Sequence, residues 1–442
     1  MAEPTALVVR FQDENTKDTT VDKVILEIDG TPVEKTSAPY SFPLENAGTG
    51  TLRFEKKGLF PYHFPVEVKQ TGDDFTLTFA NAARDRPRMA QLVKVTASAG
   101  GDSKSQNLLT FTLRKPREVV LLTAHDYSGG AIYRIFGVTR MRDLARQGLI
   151  DDNTVITFFE CDTGQRSHWV LGRSKVKTAR HAIKTGWCQM SEELVGTVAP
   201  DLKKHPGEGA IGITHIYRYL EDVGRARKGT VVEFSIWSHS WVEGPILFNT
   251  NQRDDYRWGG KKQDERDPQD HDARFLKDFN DTNMPHRKDF KAAFAPDPFV
   301  RIWGCLVMPI YRKAINRARK ARRDTQLLRL TDEERQGYFN LRRFPDTPIG
   351  VRELLKEEGY RANYMYQLSK VIGAPVWGSP PGTGSDYLIS GRRYWMYVPE
   401  YEMKLRREQR VKVKKYFYNE LNYLKKHMGW TFSSDWYLKY SA

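Results

Sequence analysis

Two apolar blocks, each followed by a chemically reactive residue, constrain the fold of this 442-residue chain most strongly. One block, Val231 to Trp237, is followed by His239 after a single serine, and the other, Phe299 to Trp303, is followed by Cys305 after a single glycine. Their length and their β-branched and aromatic content are typical of buried strands. The carboxyl ends of parallel strands meet at one edge of a sheet, where open α/β folds bind ligands. The blocks therefore predict that an imidazole and a thiol, a base and a nucleophile, meet at such an edge.

The sequence around the two blocks alternates between strand and helix patterns. Two further buried-strand runs precede the first block, and stretches with helical periodicity separate the runs. This alternation is the pattern of a largely parallel sheet with covering helices. The predicted elements, in chain order, are a strand at Glu118 to Thr123, a helix at Ala131 to Gln147, a strand at Thr154 to Phe159, a helix at Ala210 to Val223, the two blocks, and a helix at Val307 to Arg323.

The first 115 residues or so carry a different pattern, of short strands separated by turn signals. Such spacing predicts an antiparallel β-sandwich. We therefore expect an α+β protein with three regions: a β-sandwich domain at 1–115, an α/β domain at 116–390 with an insertion at about 249–298, and a basic helical C-terminal extension at 391–442. The predicted sandwich strands are Ala6 to Phe11, Val21 to Ile28, Thr51 to Phe54, Tyr62 to Val68, Phe75 to Phe79, Met89 to Thr96 and Leu108 to Leu113.

The charge of the chain is strongly basic, with a formal net charge of +15. Tyr311 to Arg323 carries seven Lys or Arg residues and no acid, and Tyr401 to Gly429 carries nine against three Glu. Both segments have helical patterns, so solvated basic helix faces are the simplest interpretation. Attraction to an acidic partner, such as nucleic acid, is the alternative.

Cysteine usage and hydropathy exclude several classes of protein. The three cysteines, Cys161, Cys188 and Cys305, include no CxxC pair, so neither a disulfide framework nor a zinc site is predicted. No motif predicts any other metal or a cofactor. No run approaches the roughly 18 to 20 apolar residues of a membrane helix, and the first residues lack a signal-peptide pattern. We expect a protein that is cytoplasmic at synthesis, with export by a signal-peptide-independent route as the alternative.

Four strands in this order, with His239 after the third and Cys305 after the fourth, resemble the caspase-like cysteine peptidases. That family includes caspases, metacaspases, gingipains, clostripain and separase, and its catalytic histidine and cysteine end successive strands. The resemblance covers roughly residues 116 to 325, and the segment near 371 to 388 would add a strand. The chain departs from the family pattern in two ways. Ser240 stands where Gly usually follows the histidine, and Trp303-Gly304 precede the cysteine in place of Ala and a polar residue.

The resemblance implies a cysteine endopeptidase that acts on protein or peptide substrates. Cys305, as thiolate, would attack a peptide carbonyl, and His239 would protonate the leaving amine and later activate water. The backbone N–H groups of Ser240 and Cys305 would hold the oxyanion. Asp126 or Asp162, after the first and second strands, would contact a basic side chain, which implies cleavage after Arg or Lys. No metal or cofactor is implied.

Two other functions stay open from the residues alone. A nucleic-acid-binding or nuclease protein is favoured by the charge and by aromatic residues among the basic ones, namely Tyr416, Phe417, Tyr418 and Tyr423. A non-enzymatic interaction scaffold is the other alternative. A β-domain ahead of a hydrolase would also suit a bacterial toxin or effector. The glycine-rich stretch Gly378 to Gly384 lacks the Lys-Ser/Thr of a P-loop and predicts a surface turn.

Overall fold

A computed structural model describes most of the predicted sandwich and the central part of the α/β region. The described residues are 6–13, 17–56, 62–71, 74–79, 93–99, 106–113, 116–126, 133–149, 153–161, 163–171, 187–195, 211–241, 244–249, 257–258, 261–262, 279–281, 283–304, 306, 311, 314–315, 327–329, 348–386, 395–397, 421–434 and 437–442.

The described elements follow the predicted order of strands first and then mixed strands and helices. In the N-terminal region the strands are β1 Ala6–Gln12, β2 Asp18–Thr19, β3 Lys23–Ile28, β4 Thr31–Lys35, β5 Tyr40–Pro43, β6 Gly48–Glu55, β7 Tyr62–Thr71, β8 Asp74–Phe79, β9 Val93–Ala99 and β10 Gln106–Leu113. The later strands are β11 Arg117–Thr123, β12 His125–Asp126, β13 Thr154–Glu160, β14 Gln165–Leu171, β15 Trp187–Leu194, β16 Val231–Trp237, β17 His239–Trp241, β18 Gly244–Ile246, β19 Phe248–Asn249, β20 Arg257–Trp258, β21 Lys261–Lys262, β22 Phe294–Ile302, β23 Leu327–Leu328, β24 Ile349–Gly350, β25 Val376–Gly378, β26 Gly384–Asp386, β27 Trp395–Tyr397 and β28 Leu438–Tyr440. The labelled helices are α1 Tyr133–Arg146, α2 Ile213–Ala226, α3 Arg287–Ala293, α4 Val351–Glu353 (which continues as a π-helix at Leu354–Arg361) and α5 Tyr364–Ile372, and residues 421–428 are also helical.

The N-terminal strands form two five-stranded sheets that enclose one apolar core. One sheet has the order β2-β1-β10-β9, with β5 also paired to β1, and the other has the order β4-β3-β6-β7-β8. Alternate residues of several of these strands enter the core, for example Val9 and Phe11 of β1 and Leu52 and Phe54 of β6. This agrees with the predicted sandwich. One correction is needed, because β1 and β10 pair in parallel, whereas the other pairings in these two sheets are antiparallel.

An eight-stranded mixed sheet forms the second part of the molecule, in the order β15-β14-β13-β11-β16-β22-β25-β28. The five central strands, β13, β11, β16, β22 and β25, are mutually parallel. Antiparallel strands flank them, with β14 and β15 at one side and β28 at the other. The predicted parallel pairing of the four apolar runs is therefore observed, within a sheet that is mixed overall.

Helices cover both faces of the eight-stranded sheet. Successive residues of β13 show this, because Phe158 lies against Gly137 of α1 and Phe159 packs against Tyr219 of α2. The approach of α1 is close enough that a Cβ at position 137 would overlap the Phe158 ring. On the α2 face, α2 packs against α3 and reaches α5 through a hydrogen bond of 2.7 Å between the hydroxyls of Tyr217 and Tyr364.

The sandwich packs directly on this sheet. Val155 of β13 and Val170 of β14 pair with each other, and both belong to the apolar core of the sandwich. Both side chains are almost fully buried. Their burial stabilises the contact between the sandwich and the eight-stranded sheet, which are also joined by the peptide chain between β10 and β11.

The C-terminal region departs from the predicted basic helical extension. Residues 421–428 are helical, but Leu438–Tyr440 forms β28, the antiparallel edge of the eight-stranded sheet. Residues 398–420 lie outside the described part of the chain, as does most of the predicted insertion. Of the predicted helix after Cys305, residues 311, 314 and 315 are described, and all three are helical. Within the described ranges, no helix has the length and apolar character needed to cross a membrane.

Candidate active site

His239 begins a tight hairpin directly beyond the carboxyl end of β16. The hairpin pairs β17 with β18, and His239 lies opposite Ile246. Gly244, opposite Trp241 in this pairing, has a φ of +127°, in a region that residues with a side chain rarely adopt. The Ser240 hydroxyl donates a hydrogen bond of 3.2 Å to the Gly244 carbonyl, which closes the hairpin. The fold therefore holds a half-buried His239 at the sheet edge.

The end of β22 lies beside this hairpin. In the parallel pairing Ile236 is opposite Ile302, and the next N–H, that of Trp303, donates a hydrogen bond of 2.8 Å to the Ile236 carbonyl. The indole rings of Trp237 and Trp303 stack with centroids 5.4 Å apart and planes 13° apart. The two strands thus stay in register up to the residue before Gly304.

Gly304 packs against the residues that flank His239. A Cβ at position 304 would overlap the Ser240 Cβ and would lie 3.0 Å from the Ser238 carbonyl oxygen and 3.1 Å from the Ser240 nitrogen. Glycine is therefore required here by the close approach of two backbones. Cys305, the predicted nucleophile, lies outside the described residues, whereas its neighbours Gly304 and Leu306 are both described.

Asp126, one predicted substrate-binding residue, follows the neighbouring strand at the same sheet edge. Ala124, the first residue after β11, donates a backbone hydrogen bond of 2.9 Å to the Trp237 carbonyl. The short strand β12 then pairs in parallel with β19, so the backbone of Asp126 lies opposite that of Asn249. The fold thus brings the chain at Asp126 to the end of the sheet that carries His239.

Asp162, the alternative substrate-binding residue, lies outside the described residues. The preceding residue, Cys161, is buried and donates a backbone hydrogen bond of 3.0 Å to the Thr123 carbonyl. This bond aligns the end of β13 with the end of β11. The described segments after β13, β11, β16 and β22 therefore all leave the sheet at one edge, as the strand order predicts.

Two residues at this edge were not anticipated from the sequence. The ring of Tyr133, the first residue of α1, lies 5.6 Å from the imidazole of His239 between centroids, at an interplanar angle of 87°. Ser238 is buried, and its hydroxyl makes no hydrogen bond to another described residue. The sequence did place an aromatic residue, Tyr133, near the start of the predicted helix that follows the first strand. Sequence alone, however, does not say which residue of that helix contacts the histidine.

The predicted surface turn after β25 is wrong, because this segment is buried. Ser379 is 0% exposed and Thr383 is 2% exposed, and the three residues between them are also buried. Thr383 pairs with Leu306 in an isolated antiparallel bridge. The Gly and Pro residues of this segment thus form a turn in the interior, next to the chain on either side of Cys305.

A second buried polar cluster lies near the opposite end of the parallel strands. Thr157 and Arg227 donate hydrogen bonds of 2.7 Å and 2.8 Å to the two carboxylate oxygens of Glu118, and the Tyr219 hydroxyl donates a third. Burial would raise the pKa of Glu118, but the Arg227 guanidinium and these hydrogen bonds hold it below its usual value. Burial lowers the pKa of nearby His168 to about 4, although the Glu118 carboxylate favours the charged form.

The described residues offer neither a metal site nor an exposed Tyr423 ring for base stacking. Among the residues that the structure describes, no group of three or more His, Cys, Asp or Glu could hold a metal ion. Tyr423, one of the aromatic residues considered for base stacking, is 8% exposed and stacks on His427 at 4.5 Å between centroids. Its ring is therefore not presented to a ligand, and Tyr416, Phe417 and Tyr418 lie outside the described residues.

Comparisons with known proteins leave the family of this chain open. No protein-family model matches the chain, and no curated protein matches it. Among solved structures, the chain is similar to the pilus adhesin (RrgA) from Streptococcus pneumoniae, at 11% identity and a TM-score of 0.16. The similarity covers 54% of this chain and 42% of that chain, so the chain spans less than half the length of the adhesin. At this TM-score the similarity carries no argument about fold or function.

Proposed function

We propose that the protein is a caspase-like cysteine endopeptidase in which Cys305 is the nucleophile and His239 its base. The observation that carries this proposal is the packing of Gly304 against Ser238 and Ser240. Gly304 immediately precedes the proposed nucleophile, and the two serines immediately flank the proposed base. The backbone contact therefore brings the two segments that bear the reactive groups together.

The sheet register gives independent support. Ile236 and Ile302 are opposite each other on neighbouring parallel strands, and His239 and Cys305 each lie three positions further along their chains. On parallel strands that stay in register, positions equally far beyond a paired residue lie side by side at the sheet edge. The order of the strands also agrees with the caspase-like pattern, in which the histidine and the cysteine follow adjacent strands.

The proposed reaction is acyl transfer to a thiol. The Cys305 thiolate attacks the carbonyl carbon of the scissile peptide, and the C–N bond breaks as His239 gives a proton to the leaving amine. Water, deprotonated by His239, then attacks the thioester and releases the acid and the free thiol. The backbone N–H groups of Ser240 and Cys305 stabilise the oxyanion of each tetrahedral intermediate. The backbone of Asp126 leads to the same edge, which supports a preference for Arg or Lys before the cut.

Cleavage of fluorogenic peptides with Arg or Lys before the scissile bond tests the proposal. Cys305→Ala and His239→Ala should each lower kcat by at least about 1,000-fold, because residues of one catalytic unit contribute on this scale. Cys188→Ala is the matched control, because Cys188 lies on β15 at the far side of the sheet, and it should keep full activity. Folding is checked for each variant by its melting temperature. Peptide cleavage that survives Cys305→Ala, or its absence from the wild-type protein across a diverse peptide library, would reject the proposal.

A further inference from the structure

The buried segment Ser379–Thr383 holds the chain on both sides of Cys305. The Ser379 hydroxyl donates a hydrogen bond to the carbonyl of Gly304, the residue before the cysteine. Leu306, the residue after it, donates a backbone hydrogen bond of 2.9 Å to the Thr383 carbonyl and accepts one of 2.9 Å from the Gly382 N–H. Three hydrogen bonds from one segment thus fix the two neighbours of the proposed nucleophile.

The segment is itself held in one conformation. Gly382 has a φ of +78°, which favours glycine and turns the chain toward Leu306. The Thr383 hydroxyl donates a hydrogen bond of 2.6 Å to the Pro380 carbonyl across the turn. The Tyr440 hydroxyl, from the edge strand β28, donates a hydrogen bond of 2.6 Å to the Ser379 carbonyl. Tyr440 and Ser379 are both 0% exposed. Bulk water therefore does not compete for the hydrogen bond from Tyr440 to Ser379 or for the one from Ser379 to Gly304.

We propose that Ser379 is a positioning residue that fixes the backbone at Cys305, with Tyr440 fixing Ser379 in turn. This inference rests on the proposed peptidase function. The Gly304 carbonyl is the last main-chain group before the nucleophile, and its direction sets the orientation of the peptide unit that it shares with Cys305. Removal of the Ser379 hydroxyl leaves the buried Gly304 carbonyl without that hydrogen-bond donor. The backbone there then shifts, because an unsatisfied buried carbonyl is costly in free energy.

The test compares Ser379→Ala and Tyr440→Phe with Ser369→Ala as the matched control. Ser369 is equally buried, and its hydroxyl also donates to a backbone carbonyl, that of Tyr366, at 2.8 Å on α5. Steady-state kinetics is normalised to the active fraction by titration with an acyloxymethyl-ketone probe. Hydrogen exchange of the Leu306 and Gly382 amides is measured on the same samples, because those amides report the turn whether or not the protein is a peptidase.

Ser379→Ala should lower kcat per active site by about 10- to 100-fold with KM within about twofold, since a small displacement of a reacting group costs this much. The Leu306 amide should exchange at least about 10-fold faster. Tyr440→Phe should give a smaller change in the same direction, and Ser369→Ala none. Unchanged kcat and unchanged Leu306 exchange in Ser379→Ala would overturn the inference while leaving the peptidase intact. A wild-type protein without Cys305-dependent cleavage would instead reject the proposed function, and with it the catalytic role of Ser379. In that case faster Leu306 exchange would support only the structural part of the inference, and unchanged exchange would overturn that part as well.

Discussion

The ring of Tyr133 stands nearly perpendicular to the imidazole of His239, at 87°, with the ring centroids 5.6 Å apart. Tyr133 is 1% exposed and is anchored as the first residue of α1, whereas His239 lies on a short hairpin. Perpendicular aromatic pairs at such distances are worth about 0.5–1.5 kcal/mol beyond the burial of their surface. The tyrosine ring therefore restricts the orientation of the imidazole that the proposed mechanism uses as base.

Loss of this ring should impair catalysis more than binding. Tyr133→Leu should lower kcat by about 10-fold with little change in KM, because the free energy of an aromatic pair corresponds to a change in rate of about this size. Tyr133→Phe keeps the ring and should retain most of the activity. Steady-state kinetics on the two variants makes the comparison. An equal loss in both would show that the hydroxyl matters, not the ring, and no loss in either would contradict a role for the pair.

A methyl group at Gly304 should destroy the close contact between the two proposed catalytic segments. The added Cβ of Gly304→Ala would overlap the Ser240 side chain, so the β16 and β22 ends must separate. We expect a loss of cleavage of about 100-fold or more and a destabilisation of about 1–3 kcal/mol.

Gly350→Ala is the matched control for this substitution. The atoms nearest to a Cβ at Gly350 belong to the Glu353 side chain at 3.8 Å, an ordinary contact distance. Peptide cleavage assays and urea denaturation compare the two variants. Full activity in Gly304→Ala would refute the claim that the contact between the segments is needed.

Stability should fall on acidification because of His168. Its pKa in the folded protein is lowered to about 4 by burial, against 6.5 for an unperturbed histidine. Between these two values the unfolded chain binds a proton that the folded protein does not, so the folded state loses stability as the pH falls from about 6.5 toward 4. The loss from His168 alone should be about 2 kcal/mol between pH 7 and pH 5.

His168→Gln isolates this contribution, because glutamine is polar and does not titrate. Urea denaturation of the wild-type protein and the variant at pH 7 and pH 5 gives the two pH dependences. The variant should show the smaller loss, by about 2 kcal/mol. Glu118, whose pKa is also lowered, contributes mainly below pH 4.5, outside this window. Equal pH dependence in both proteins would show that His168 is not buried as a neutral group.

The central strands could be predicted from the sequence because burial on both faces selects continuous apolar runs. Thr154 to Phe159 was predicted and Thr154–Glu160 is observed, and the run Val231–Trp237 was predicted with its observed bounds. The start of β22 was missed, since it begins at Phe294 and includes Pro296 and Pro298. Proline lacks the N–H that a central strand donates to its neighbour. The residues before Phe299 were therefore predicted to belong to the connection that precedes the strand.

The remaining parts of the site depend on contacts between distant segments, which local patterns do not encode. Tyr440 was assigned to a basic helical extension because that region is rich in Lys and Arg, yet β28 completes the sheet and supports Ser379. The segment after β25 was predicted to be a surface turn because Gly and Pro are the usual turn residues. The segment is instead buried, and its Gly382 and Thr383 pair through backbone hydrogen bonds with Leu306, more than 70 residues earlier in the chain.

The central claim, that Cys305 is an activated thiol paired with His239, is tested most directly by competitive alkylation. Native protein is treated with iodoacetamide at pH 6, and the modification rates of Cys305, Cys188 and Cys161 are mapped by peptide mass spectrometry. An activated thiolate should react roughly 100-fold faster than an ordinary thiol at this pH, because an ordinary cysteine is almost entirely protonated there. We predict this excess for Cys305 in the wild-type protein and its loss in His239→Ala. A Cys305 that reacts no faster than in the urea-unfolded chain, or whose rate does not depend on His239, would contradict the account.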